Sequence, residues 1–275
     1  MAFAVLYDAN KCIGCRGCQA ACKQWNMNDE LSPAENRLTT TVNSGSYENP
    51  PQLSARTFTK IRFTELENNG KFQWVFTKLQ CMHCEHPACA AACLVAALQK
   101  TPEGPVVYDE GKCIGCRYCM VACPFGVPTF QWDSPLPWIR KCTFCADRLN
   151  AGLEPACVKT CPSNALIIGQ REALLNVARG RIAAAPAKYV NHIYGENEVG
   201  GTSWLYLSPV PFEKLGLPVL GTKPVTADAE RAMGAVPPVL LGVAAAMTGV
   251  YWVMKRRDRM NKEKAASKDK AEVTK

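Results

Sequence analysis

The sequence predicts an α+β protein made of two small cysteine-rich units, one nested inside the other, followed by one C-terminal helix of membrane length. Three observations carry that prediction. Sixteen cysteines fall into four quartets with none left over, one sixteen-residue stretch is written twice, and 23 consecutive uncharged residues precede a basic tail.

Cys12, Cys15, Cys18 and Cys22 (group one) are spaced C-x2-C-x2-C-x3-C, and Cys113, Cys116, Cys119 and Cys123 (group three) repeat that spacing. Cys81, Cys84, Cys89 and Cys93 (group two) add two residues before the third cysteine. Cys142, Cys145, Cys157 and Cys161 (group four) place eleven residues there. The duplicated stretch, YDANKCIGCRGCQAAC at 7–22 and YDEGKCIGCRYCMVAC at 108–123, agrees at 11 of 16 positions and contains groups one and three.

Disulfide frameworks serve short secreted domains that carry a signal peptide. The opening MAFAVLYDANKC has neither a basic n-region nor an adequate apolar h-region. Zinc sites pair two C-x2-C knuckles across a longer loop. Cysteines at i, i+3 and i+6 instead wrap the chain around one corner of a [4Fe–4S] cube, while the fourth reaches a second cube in two-cluster ferredoxins. Proline follows the fourth cysteine as Pro124 and Pro162, in groups three and four only. Gly14 and Gly115 let the backbone turn its amides toward sulfur. The expectation is four [4Fe–4S] clusters with all sixteen cysteines as ligands. Complete quartets leave no open iron for a substrate, so the chain reads as a non-catalytic electron carrier.

Groups two and three are joined by VAALQKTPEGPVVYDEGK, two β-rich runs around a Pro-Glu-Gly-Pro turn. Together they fit a small pseudo-symmetric bacterial-ferredoxin-like unit, which leaves groups one and four to pair with each other. Residues 1–75 and 141–200 then form the outer unit, 76–140 the inserted one, and 201–231 a linker to the membrane. If the fourth cysteine of each loop crosses over, the ligand sets follow. They are Cys12, Cys15, Cys18 with Cys161; Cys142, Cys145, Cys157 with Cys22; Cys81, Cys84, Cys89 with Cys123; and Cys113, Cys116, Cys119 with Cys93. The alternative is that each loop holds its own cube.

The formal charge of +8 does not argue for nucleic acid. Five of those charges lie from Lys255 onward, metal-bound thiolates would reverse the remaining +3, and no nucleic-acid motif is present. His83 and His86 lie within the group-two loop and read as hydrogen-bonding or surface residues, since four cysteines already fill the ligand set. Trp132 and Trp138 read as packing for a short linker. A strand pair is expected in FTKIRFTE and KFQWVFTKL around Asn68-Asn69-Gly70, a helix over 171–188 closed by Pro186, and a strand in VGGTSWLYL.

Residues 232–254, AMGAVPPVLLGVAAAMTGVYWVM, are long enough to cross a ~30 Å hydrocarbon core, with Pro237 and Pro238 expected in the first turn of the helix. Eight Lys/Arg occur in the twenty residues after this span and three in the twenty before it. The positive-inside rule then places the basic tail, 255–275, in the cytoplasm and the cluster domain on the periplasmic (outer) side of the inner membrane. With no signal peptide read, export attached to a partner bearing a twin-arginine signal is the expected route.

The quartets, the span and the stretches YENPPQLSARTFTKIRFTELENNGKFQWV, CMHCEHPAC, EPACVKTCPSNALIIG and EVGGTSWLYL resemble the iron–sulfur (beta) subunits of membrane-bound formate dehydrogenases, over roughly residues 5–255. That broader family serves molybdopterin oxidoreductases and some hydrogenases. The resemblance implies electrons leaving a molybdenum or tungsten bis-pterin catalytic subunit for haem in a membrane cytochrome b, and then quinone. It also implies that the Cys12 cluster faces the catalytic subunit and the Cys81 cluster the haem, with groups used in the order one, four, three, two. The same relay serving a hydrogenase or another molybdopterin oxidoreductase is the alternative.

Overall fold

A computed structural model describes residues 2–26, 47–68, 70–132, 137 and 139–273. It opens with β1 (Phe3–Asp8), α1 (Gly17–Asn26) and the hairpin of β2 (Lys60–Asn68) and β3 (Lys71–Leu79). The middle contributes α2 (Ala88–Ala91), β4 (Leu98–Lys100), β5 (Val106–Tyr108), α3 (Tyr118–Ala122), β6 (Thr129–Phe130) and β7 (Ile139–Arg140). There follow α4 (Ala146–Asn150), α5 (Ala156–Lys159), β8 (Leu166–Gln170), α6 (Arg171–Ala184), β9 (Trp204–Leu207) and α7 (Ala227–Val273). The chain divides into a body, residues 1–226, and the helix from Ala227.

The body is organised by a strand the sequence reading did not find. β1 lies in the middle of a three-stranded sheet, antiparallel to β8 (Phe3↔Gln170 to Tyr7↔Leu166) and parallel to β9 (Val5↔Trp204 to Asp8↔Leu207). Ala4 and Leu6 face Leu174, Leu175 and Ala178 of α6, whereas Val5 and Tyr7 join the larger core with Ile61, Phe144 and Trp204. A strand buried on both faces has no polar alternation to betray it. At its end, the fully buried Asp8 carboxylate accepts from Arg181 (2.8 Å) and from the Tyr189 hydroxyl (3.0 Å).

Topology brings the distant loops together. Cys12 follows β1 and Cys161 precedes β8, so antiparallel pairing of those strands sets the two side by side. The β4–β5 hairpin does the same for Cys93 and Cys113. This hairpin is the one expected from the Pro-Glu-Gly-Pro turn, and its tip docks on the sheet: Phe3 N–H donates to the Glu103 carbonyl at 2.7 Å. The β2–β3 hairpin runs from Lys60↔Leu79 to Asn68↔Lys71, matching the strand pair expected in FTKIRFTE and KFQWVFTKL. α6 ends at Ala184, two residues before Pro186.

Three expectations need correction. Residues 201–207 are not a free linker, because Thr202 to Leu207 are at most 2% exposed and β9 completes the central sheet. Pro237 and Pro238 lie inside α7 rather than in its first turn, since ADAERAMGAV starts the helix ten residues earlier. Two backbone donors are lost there. Trp132 is 69% exposed, with Arg117 over its ring at 5.1 Å, so it is not packed inward. Trp138 and residues 27–46, part of the polar insertion expected over 23–80, lie outside the described residues. α7 itself contains an apolar window of mean hydropathy 1.7, none of it buried, and is long enough to cross a membrane.

Candidate metal centres

The four cysteine loops share one backbone design. The residue before the second cysteine is left-handed in every loop: Gly14 (φ 68°), His83 (48°), Gly115 (68°) and Phe144 (60°). The third cysteine is always the second residue of a helix: Cys18 in α1, Cys89 in α2, Cys119 in α3 and Cys157 in α5. After the fourth cysteine a left-handed residue three places on turns the chain away, at Ala96, Gly126 and Asn164. Group one departs here, because Cys22 stays within the continuing helix α1.

That design turns amides toward sulfur. Gly115 N–H donates to Cys113 Sγ (3.4 Å), Phe144 N–H to Cys142 Sγ (3.4 Å) and Ala97 N–H to Cys93 Sγ (3.2 Å). Such donors stabilise negative charge on ligating sulfur. The duplicated Tyr-Asp pair now has a reason. Tyr7 and Tyr108 each line the cavity that holds the first cysteine of their own loop, Cys12 and Cys113, with the Tyr7 hydroxyl donating to the Phe76 carbonyl at 2.7 Å and the Tyr108 hydroxyl accepting from Ile139 N–H at 3.3 Å. Asp8 and Asp109 each accept from the backbone N–H two residues on, at 3.1 and 3.0 Å, which fixes the turn into the loop.

The sixteen sulfurs gather into four crossed sets. One cavity is lined by Cys12, Cys15, Cys18 and Cys161; a second by Cys22, Cys142, Cys145 and Cys157; a third by Cys93, Cys113, Cys116 and Cys119. Their empty volumes are similar, 320, 340 and 310 Å³. Around Cys84, burial raises the thiol pKa and the sulfurs of Cys81, Cys123 and Cys89 raise it further, which identifies the fourth set. All sixteen cysteines are free of disulfides. Among the described residues no three His, Cys, Asp or Glu side chains close on a point that would hold a single metal ion. Each quartet surrounds a space, the arrangement a cube requires.

Burial pushes Cys18, Cys89 and Cys142 up to about 12 and Cys119 and Cys145 to about 11, so loading metal must expel protons. Burial also acts to lower the pKa of Lys78, but the sulfurs of Cys157, Cys18, Cys142 and Cys22 outweigh it and hold that ammonium above its ordinary value.

The cradles form a row whose order differs from that implied by the resemblance. Cys157 neighbours Cys18, Cys142 neighbours Cys81, and Cys89 neighbours Cys119. Counting each cradle by its main loop, the order is one, four, two, three, so the Cys113 cradle and not the Cys81 cradle is the far end. Packing is the cause. Ser203 N–H donates to the carbonyls of Met82 and His83 (both 3.1 Å), and the His83 ring meets Phe144 at 4.9 Å, holding loop two against loop four and the residue that leads into β9. His83 is completely buried, and its Nδ1 accepts from Val106 N–H at 2.8 Å, while His86 is exposed. Of the sixteen cysteines, Cys15 and Cys116 are the exposed ones, one at each end of the row.

The two glycines of the duplicated loop are not equivalent. A Cβ on Gly14 would come within 2.8 Å of the Phe76 ring, whereas on Gly115 it would meet Phe130 at 3.7 Å. Gly115→Ala is expected to cost about 1–2 kcal/mol of left-handed backbone strain. Gly14→Ala should cost more, because the ring must move as well. The decay of cluster absorbance in urea checks this: the Gly14 variant should bleach at lower urea than the Gly115 variant.

Sequence reading missed Lys78 and Lys141, which are buried close to sulfur. The available signal was position, three residues before Cys81 and directly before Cys142.

Four sulfur cradles on a ferredoxin-type frame define an iron–sulfur protein of the two-cluster class, and the comparisons agree. Family models described as a 4Fe–4S dicluster domain match residues 11–97 and 72–171. The chain is 41% identical to the iron–sulfur subunit of nitrate-inducible formate dehydrogenase from Escherichia coli K12, over 74% of this chain and 67% of that protein. It is 34% identical to the hydrogenase-2 operon protein HybA of Escherichia coli O157:H7, over 93% of this chain and 84% of that one. A protein of Nitratidesulfovibrio vulgaris is 42% identical over 99% of this chain and 71% of its own length. The chain belongs to the family of formate dehydrogenase iron–sulfur subunits.

Proposed function

We propose that this chain is the electron-relay subunit of a membrane-bound oxidoreductase, connecting a molybdenum or tungsten bis-pterin subunit that oxidises formate to a membrane cytochrome b and quinone. The observation that carries this reading is the row of four cradles with an exposed cysteine at each end. When bound, a [4Fe–4S] cluster supplies a one-electron carrier, and four of them in sequence would make a wire. The chain's own residues hold and tune it. Each quartet supplies four thiolates, the left-handed loop residues aim amides at sulfur, and the nested strands keep neighbouring cradles in contact. Two ferredoxin-like units, one inserted in the other, account for the crossed cysteine sets. Cys15 marks the end facing the catalytic subunit and Cys116 the end facing the cytochrome. α7 inserts as a single span in the inner membrane, with the basic tail in the cytoplasm and the body on the periplasmic side.

Four quartets require about sixteen irons and as many acid-labile sulfides per chain, without zinc. Elemental analysis of the anaerobically purified complex tests this, and eight irons or stoichiometric zinc would sink it. The longer coverage of the HybA match favours a second reading, the same relay serving a hydrogenase. Dye reduction by the purified complex separates the two: formate-dependent for the first, hydrogen-dependent for the second.

A further inference from the structure

Among the described residues three lysines are buried in the body: Lys60, Lys78 and Lys141. Lys60 has a carboxylate partner, Glu48, at 2.6 Å. Lys141 donates to the backbone carbonyls of Val106 and Cys142. Lys78 is 1% exposed and, among the described residues, its partners are all neutral. Its Nζ donates to Thr59 Oγ1 (2.6 Å) and to Gln80 Oε1 (3.0 Å), and it lies 4.5 Å from the centre of the Trp204 ring. The Gln80 amide is committed as acceptor here, because its Nε2 donates to the Tyr206 hydroxyl. An oxygen acceptor pair and an aromatic face are the surroundings of an ammonium. A buried charge without an opposite charge is costly, so the compensating charge must come from elsewhere.

The sulfurs provide it. Lys78 lines the cavity of Cys22, Cys142, Cys145 and Cys157, and its charge also reaches Cys18 in the adjoining cradle. It therefore stands between the first two cradles of the row. We propose that Lys78 is the shared counter-charge of these two cradles and holds the reduction potentials of both clusters above the values they would have beside a neutral side chain. The inference rests on the reading that each cradle holds a [4Fe–4S] cluster. Each one-electron reduction adds one negative charge to a site already bearing four thiolates. A fixed positive charge in a low-dielectric interior therefore favours the reduced form over the oxidised one.

The test is redox-titrated EPR with iron analysis on the whole, anaerobically purified complex carrying Lys78→Met. The iron content should match the unmodified complex. Two cluster signals should shift to lower midpoint potential, namely those altered by Cys12→Ser and by Cys142→Ser, while the other two stay in place. Lys78→Arg keeps the charge and should return both potentials toward their original values. Unmoved potentials in a fully loaded Met variant, or an equal shift of all four signals, overturn the role of Lys78. Should the Met variant lose iron, Gln80→Glu places a carboxylate beside the ammonium and neutralises it where it stands. The same two potentials should then fall, and their constancy overturns the proposal. Unmodified complex without [4Fe–4S] signals would overturn the cluster reading itself, a result separable from unmoved potentials.

Discussion

Replacing Cys22 with serine is expected to alter the cluster signal of the Cys142, Cys145 and Cys157 cradle and to leave the signal of its own loop largely intact. Cys18 and Cys22 lie one helical turn apart in α1 and are both buried, yet they line different cavities. Cys18 faces the space shared with Cys12, Cys15 and Cys161, and Cys22 the space shared with group four. Helical spacing is what makes this division possible, since residues at i and i+4 share a face but stand about 6 Å apart along the axis. Cys12→Ser should alter the other signal. Redox-titrated EPR on the two variants decides: if both change the same signal, each loop holds its own cube and the crossed sets are wrong.

Ending the chain after Thr226 should leave the clusters in place and weaken electron delivery to quinone, with part of the complex released from membranes. Every cysteine precedes Thr226, and the body 1–226 is a unit in itself. What is lost is α7, whose apolar stretch is long enough to cross a bilayer. A cytochrome partner could retain some of the truncated complex, so topology is better read by protease. In intact spheroplasts of cells making the full chain, the body should be digested and the basic tail protected. Digestion of the tail there would reverse the proposed orientation.

Much of the site was legible because cluster ligation constrains spacing directly. The C-x2-C and C-x3-C spacings within each quartet and the β4–β5 hairpin between groups two and three are consequences of local chain geometry. Other features depend on what packs against what, which spacing does not record. The order of the cradles is one case: it is fixed by the contact of His83 with Phe144 and by Ser203 gripping loop two. Left-handed backbone at His83 and Phe144 is another, because neither residue advertises it as Gly14 and Gly115 do. β1 was hidden by burial on both faces. Lys78 looked like an ordinary strand-end lysine, and only the tertiary fold reveals that its solvent is replaced by sulfur and indole. The early start of α7 was masked by the prolines, which suggested a beginning that ADAERAMGAV had already made.

The central place of β1 has a consequence in time. The partners of residues 3–8, at 166–170 and 204–207, leave the ribosome some 160 to 200 residues after them, which at ~5–20 residues per second is a wait of roughly ten seconds or more. Until then the strand has no neighbour on either edge. Cys12, Cys15 and Cys18 likewise wait for Cys161, and Cys22 waits for group four. The Cys81 and Cys113 cradles are complete once residue 123 has emerged, with their own hairpin to hold them. Synthesis therefore completes the Cys81 and Cys113 cradles first, and β1 is among the last pieces of the body to be locked in.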